Sequence, residues 1–338
     1  MIDALFVCDA SPATGFGHLA RCMALATALR AQRDDLQIAF AGQYTERARR
    51  RLAAALTAVQ LTSVTELPEA RLAVIDRLAD PNDMNSWDDR LAQHVSKRAH
   101  SLFSILSGVV APKADGFVRI GYQPGGPRAA PPGLLWGFDF APVAAGLLEY
   151  PEVDRDAQSA LLALGGDPHG GAFELTLEAL KALADIRRIE ILASPTGAPV
   201  MPTQFLRARQ QIVVHEGVPS VAPLLRRAGV VIASHGNLAY EAMALGAPLC
   251  LVGQKPFQAA LANSLSERGL AVNAGLAVSI DAAALAASIA HTIAQAGQLS
   301  ERARRAIDGR GLERISALLW RALASPAEER SDTEMRSA

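Results

Sequence analysis

The chain has 338 residues, 50% of them hydrophobic and 20% charged, with a formal net charge of -1. That length exceeds what one hydrophobic core usually fills, so two domains are expected. The even charge balance excludes nucleic acid as the main partner, since backbone phosphates require a concentrated basic surface.

In chain order, the first half reads as strands at 3–9 (DALFVCD), 36–42 (LQIAFAG), 71–76 (RLAVID), 101–106 (SLFSIL) and 117–122 (FVRIGY). Helix-period segments at 17–31, 45–58 and 84–98 lie between them. Continuous apolar strands separated by amphipathic helices indicate a parallel sheet covered on both faces. The basic run ERARRR at 46–51 falls on one of these helices and reads as a solvated face. Residues 123–135 (QPGGPRAAPPGLL) form a loop, and irregular sequence continues to about 155.

The alternation then restarts. Strands are expected at 159–164, 188–193, 211–215, 229–233 and 248–252, with helices at 170–184, 203–209, 219–228, 238–245 and 256–268. Helical segments at 281–296, 300–308 and 311–324 follow, and the polar residues 325–338 read as a disordered tail. The expected organisation is a Rossmann-like domain over 1–150 and a second over 151–324. Doubly wound domains bind ligands beyond the carboxyl ends of their strands, so two such edges can face one cleft.

The three cysteines, Cys8, Cys22 and Cys250, sit in apolar stretches without metal-ligand spacing and read as buried, reduced thiols. The first residues carry no basic leader, and no segment approaches the ~18 apolar residues of a membrane span. The expectation is a soluble cytoplasmic protein that uses neither metal nor cofactor.

Two glycine turns carry the chemistry. In ATGFGHLARCMALATALR (13–30), Gly15 and Gly17 precede a helix with apolar residues at 19, 22, 23, 26 and 29. Gly15-x-Gly17-x-x-Ala20 fits a dinucleotide fingerprint poorly. A five-residue loop separates it from the strand, and the second strand ends in Ala41-Gly42-Gln43 without a ribose-binding carboxylate. NAD is therefore excluded. His18 lies in the first turn, where the partial positive charge of the helix end suits a neutral imidazole acting as general base. The second turn, Gly165-Gly166-Asp167-Pro168, opens another helix where glycines let backbone amides approach an anion. Further on, Ser234-His235-Gly236-Asn237 leads into a helix bearing Glu241. An acid there can accept both hydroxyls of a ribose, or can simply favour the helix N-terminus.

Taken together, these motifs resemble the nucleotide-sugar hydrolases of the PseG type, relatives of GT-B glycosyltransferases such as MurG. The resemblance covers roughly residues 3–270 and is most specific at Gly15-x-Gly17-His18-x-x-Arg21-Cys22. It implies a GT-B fold of two doubly wound domains facing a central cleft, with UDP on the second domain. It also implies metal-independent, inverting hydrolysis of a UDP-deoxyamino sugar on the way to pseudaminic acid. By that match, His18 is the base and Asp76 lies near the sugar. Gly15, Gly17 and Arg21 belong to the first motif, and Gly165, Gly166 and Asp167 to the second turn. His235, Gly236 and Asn237 precede the ribose acid Glu241, and Gln258 follows the next strand. Where the family carries an Asn-Gln pair, this chain has Phe257-Gln258. A GT-B glycosyltransferase acting on a glycan or protein acceptor is the alternative, and a non-catalytic nucleotide-sugar-binding protein is a second one.

Overall fold

A computed structural model describes residues 1–57, 59–80, 82–83, 88–105, 117–121, 133–143, 146–165, 171–194 and 210–324. The first sheet is built from β1 (Ile2–Cys8), β2 (Ile38–Ala41), β3 (Gln60–Thr62), β4 (Ala70–Asp76), β5 (Ala99–Ile105), β6 (Phe117–Gly121) and β7 (Leu134–Trp136). Their order is β3-β2-β1-β4-β5-β6-β7, all parallel. Helices α1 (Gly17–Arg30), α2 (Glu46–Ala55) and α3 (Asp89–Ser96) supply crossovers.

The second sheet contains β8 (Asp156–Ala163), β9 (Arg188–Leu192), β10 (Gln211–His215), β11 (Ala228–Ala233), β12 (Leu249–Gly253) and β13 (Val272–Leu276). Its order is β10-β9-β8-β11-β12-β13, again all parallel. Helices α4 (Ala172–Ala182), α5 (Ala222–Arg227), α6 (Asn237–Ala244) and α7 (Pro256–Glu267) connect these strands. The chain continues through α8 (Ala282–Ala294), α9 (Ala296–Ala306) and α10 (Gly311–Ala324).

The central strands form because they are apolar along their whole length. β11 and β12 are buried at every position, as are the last five residues of β1. Two-sided burial of this kind is what a parallel sheet between helical layers requires. In each sheet the strand order reverses once, between β1 and β4 and between β8 and β11. Those reversals open crevices at the carboxyl ends of the strands.

The last helix ties the two halves together. α10 packs on α1 and β4 of the first sheet. Its Leu312, Ile315, Leu319 and Leu323 join a buried cluster that also holds Leu25 of α1 and Tyr240 of α6. Gly311 is required there, because a Cβ would stand 2.0 Å from the Ala141 carbonyl oxygen. The Arg314 guanidinium donates to the Asp139 carbonyl at 3.0 Å, and Arg71 donates to the Leu323 carbonyl.

Several elements depart from the sequence reading. β3, β7 and β13 are strands where none is expected, being short or, in β13, only half-buried along a run broken by Gly275. α5 is shorter than read and runs directly into β11. The expected helix at 203–209, the loop at 123–132 and the tail at 325–338 lie outside the described residues. The basic face of α2 is solvated as read, with Arg47, Arg49 and Arg50 exposed, but it also makes contacts the sequence does not announce. Arg47 pairs with Glu216 at 3.0 Å, and Arg51 donates to the Val218 carbonyl at 2.9 Å. The solvated face therefore also bridges to the loop after β10.

Candidate active site

A cavity of about 1010 Å³ lies where the carboxyl ends of the two sheets meet. On the first domain its wall starts with the turn after β1. The Gly15 amide donates to the Ser11 carbonyl at 2.8 Å, while the Ser11 amide donates to Thr14 Oγ1 at 3.1 Å. Gly15 sits at φ +75, a left-handed conformation that favours glycine. α1 then begins without a side-chain cap, so its first-turn amides rely on other partners.

His18 and Arg21, one turn apart on α1, meet at the end of β4. Pairing of β1 with β4 sets Asp76 opposite Cys8, and the Asp76 side chain is fully buried. His18 Nδ1 is 2.7 Å from Asp76 Oδ1. Arg21 donates from Nε to Oδ2 at 2.6 Å and from Nη2 to Oδ1 at 2.8 Å. Burial pushes the Asp76 carboxyl up, but the charges of Arg21 and then His18 outweigh it and hold the group below its ordinary value. An ionised carboxylate can only accept, so Nδ1 of His18 carries the ring proton that it donates. The remaining nitrogen, Nε2, is the one left to face the cleft that the ring lines. Arg21 Nη2 also lies 3.0 Å from Nδ1, which places two donors side by side on one oxygen.

The second domain supplies the opposite wall from loops after β8, β11 and β12. Gly165, at φ +82, follows β8. His235, Gly236 and Asn237 join β11 to α6, and Glu241 stands on the second turn of that helix. Gln254 and Lys255 join β12 to α7, and Phe257 and Gln258 lie in the first turn of that helix. The cavity thus gathers Gly15, Gly17, His18, Arg21, Gly165, His235, Gly236, Asn237, Glu241 and Gln258. Gly166 and Asp167 lie outside the described residues.

The geometry gives four of the expected site residues partners within the protein. Asp76 stands behind His18 with no exposure, so it orients the imidazole and is shielded from any sugar. Arg21 has two of its nitrogens on that same carboxylate. His235 Nε2 is 3.1 Å from the Tyr240 hydroxyl, and burial pushes its pKa down to about 3, so the ring is neutral. Gln258 turns its amide inward: Oε1 accepts from the Gln254 and Lys255 amides at 3.0 and 3.1 Å, and Nε2 donates to the His235 carbonyl at 3.3 Å. It joins two loops of the wall.

Sequence reasoning missed Gln254, Lys255, Tyr240 and Arg51. Gln254 donates to Ser234 Oγ at 2.8 Å and to the Leu164 carbonyl, tying the loops after β8, β11 and β12. The polar pair Gln254-Lys255, directly after an apolar strand, was the available signal. Among the described residues no group of three or more His, Cys, Asp or Glu side chains could hold a metal ion. No helix among them is long and apolar enough to cross a membrane.

No protein-family model matches the chain. It is 26% identical over 174 residues to the spore coat polysaccharide biosynthesis protein SpsG of Bacillus subtilis. That match covers 49% of this chain and spans about half the length of the relative, 50%. The structure is similar to CalG4, the calicheamicin glycosyltransferase, with a TM-score of 0.62 at 15% identity over 96% of this chain and 100% of that one. It is also similar to MurG of Acinetobacter baumannii, with a TM-score of 0.56 at 14% identity over 94% of this chain and 99% of the other. At these identities the likeness speaks for the fold. The protein has the GT-B fold, two Rossmann-like domains on either side of a cleft.

Proposed function

We propose that this protein is a nucleotide-sugar-dependent glycosyltransferase acting in polysaccharide biosynthesis. The observation that carries the reading is His18 held by Asp76 on one wall of a cleft whose other wall carries Glu241. SpsG is named for polysaccharide biosynthesis, while CalG4 is a glycosyltransferase by name. These likenesses favour transfer over the hydrolysis expected from the sequence. The size of the cleft suits a nucleotide-sugar donor in either reading. A cavity of about 1010 Å³ is the size a ligand as large as a nucleotide sugar requires.

In this reading the second domain holds the nucleotide, with Glu241 accepting from the ribose hydroxyls. An acceptor hydroxyl attacks the anomeric carbon while His18 Nε2 takes its proton. The bond from that carbon to the diphosphate oxygen breaks, and the nucleoside diphosphate leaves with the electron pair. Attack opposite the leaving group inverts the configuration. Asp76 fixes the tautomer and faces the positive charge the ring acquires, as the aspartate of a catalytic triad does.

The test is incubation with a panel of UDP-sugars, with and without glycan acceptors. Acceptor-dependent release of UDP together with a glycosylated product supports transfer. Release of UDP and free sugar at the same rate without acceptor would assign hydrolysis instead. Binding without turnover of any donor would assign the non-catalytic alternative.

A further inference from the structure

We propose that Arg21 is a positioning residue for His18, acting through Asp76 to decide which nitrogen of the imidazole carries the proton. This rests on the reading of His18 as the base and adds the residue that leaves Nε2 as its accepting atom.

Three donors converge on one fully buried carboxylate. Arg21 takes Oδ2 through Nε at 2.6 Å. It shares Oδ1 with His18, Nη2 standing at 2.8 Å and Nδ1 at 2.7 Å. Two nitrogens of one planar guanidinium on both oxygens fix the plane of the carboxylate, which a point-charge ammonium does not do. The fork therefore aims Oδ1 at His18. Both donors come from the first turns of α1, while the carboxylate comes from the last residue of β4.

The charge matters as much as the aim. Burial alone favours a protonated carboxyl, and the charge of Arg21, ahead of that of His18, holds Asp76 below its ordinary value. Cys8 stands opposite Asp76 on β1, with the Tyr44 hydroxyl 3.8 Å from its Sγ. Burial pushes up both the Tyr44 phenol and the Cys22 thiol of α1. Of the nearby cations, Arg77 pairs with Asp9 at 2.7 Å and Lys255 donates to the Ala13 carbonyl at 2.8 Å. With Arg21 made neutral, an ionised Asp76 would lose its bidentate partner, and a buried charge so exposed to its own desolvation takes up a proton. That proton makes Asp76 a carboxyl donating to Nδ1, or it doubly protonates the ring. In both cases Nε2 carries a hydrogen and cannot accept another.

The experiment reads the ring protons directly, by proton–nitrogen correlation spectra of protein labelled with nitrogen-15 in histidine, recorded over a pH titration. The His18→Asn variant identifies the His18 signals. In the wild type Nε2 should become bare as pH rises while Nδ1 keeps its proton. At the pH where that has happened, Nε2 should still be protonated in Arg21→Met and Arg21→Gln, and bare in Arg21→Lys, which keeps the charge. A bare Nε2 in both neutral variants overturns the assignment, and so does a wild type whose bare nitrogen is Nδ1. A protonated Nε2 in Arg21→Lys overturns it as well, and that variant carries the test if the neutral ones do not fold. With a nucleotide sugar that the wild type turns over, Arg21→Met should lose about 10²–10⁴-fold in kcat, the range for a positioned base, and keep its affinity for the nucleoside diphosphate. An equal loss of affinity would make Arg21 a ligand contact and overturn its positioning role. A wild type that turns over no nucleotide sugar fails the glycosyltransferase reading instead, and the ring protons still decide the role of Arg21.

Discussion

Asp76 and Tyr240 each hold a cleft histidine by one ring nitrogen, and the difference lies in what each partner can give. Asp76 is an anion that only accepts, so it dictates which nitrogen of His18 carries the proton. Tyr240 is neutral and can accept or donate, and His235 beside it is 4% exposed. This removes His235 as a substitute base and gives it a role in stability. Unfolded, its imidazole takes a proton near the ordinary 6.5, while in the folded chain burial delays that to about 3. Between those values the unfolded state binds more protons, so stability falls as pH drops through the window, by up to ~1.4 kcal/mol per pH unit. Asp76 enters only at the foot of that window, since its depressed folded value keeps its contribution until pH falls under the ordinary 3.8. His235→Asn should therefore flatten the loss of stability between pH 6.5 and about 4, measured by urea unfolding at several pH values. Parallel wild-type and variant curves would show that His235 is already charged in the folded state.

Among the elements, α1 and α6 are counterparts, each following a strand beside the reversal in its sheet. α1 carries His18 to the cleft and α6 carries Glu241. Arg155 holds the base of the second arrangement: it donates to the carbonyls of Leu225, Arg226, Ala228, Leu245 and Gly246 at 2.8–3.2 Å. Burial lowers its pKa to about 10, which still leaves it charged at neutral pH. If Glu241 accepts from the ribose, Glu241→Gln weakens UDP binding by roughly 1–3 kcal/mol, as expected for a hydrogen bond to a charged group. Unchanged affinity with a lowered Tm would reduce Glu241 to a support for its helix.

These elements show what a sequence discloses. β1, β4, β11 and β12 are legible because two-sided burial demands unbroken apolar runs. β3 is a three-residue edge strand and β13 is half-buried, so neither carries such a run. The glycine turns and His18 are visible as local motifs. The bond from His18 to Asp76 spans 58 residues and depends on β4 pairing beside β1, which strand order decides. In α2, periodicity marks a polar face but cannot say that Arg47 and Arg51 meet the loop after β10.

At the scale of the whole molecule, the proposed function assigns chemistry and nucleotide binding to different domains. The buried cluster runs from α1 through α10 to α5 and α6, so the two walls share one core. Arg47, Arg51 and Lys255 add polar bridges across the cleft. In the proposed reading hydrolysis and transfer would use the same wall and the same base, differing in whether water or a hydroxyl fills the remaining space. That is why the motif around His18 did not separate them.

The division of labour is tested most directly by His18→Asn, assayed for turnover with the donor and acceptor that the wild type uses and for binding of the nucleoside diphosphate. A positioned general base contributes ~10²–10⁴-fold, so kcat should fall by that order while nucleotide affinity stays nearly unchanged. Near-native turnover in the variant would contradict the assignment of His18 as the base, and with it the reading of this cleft.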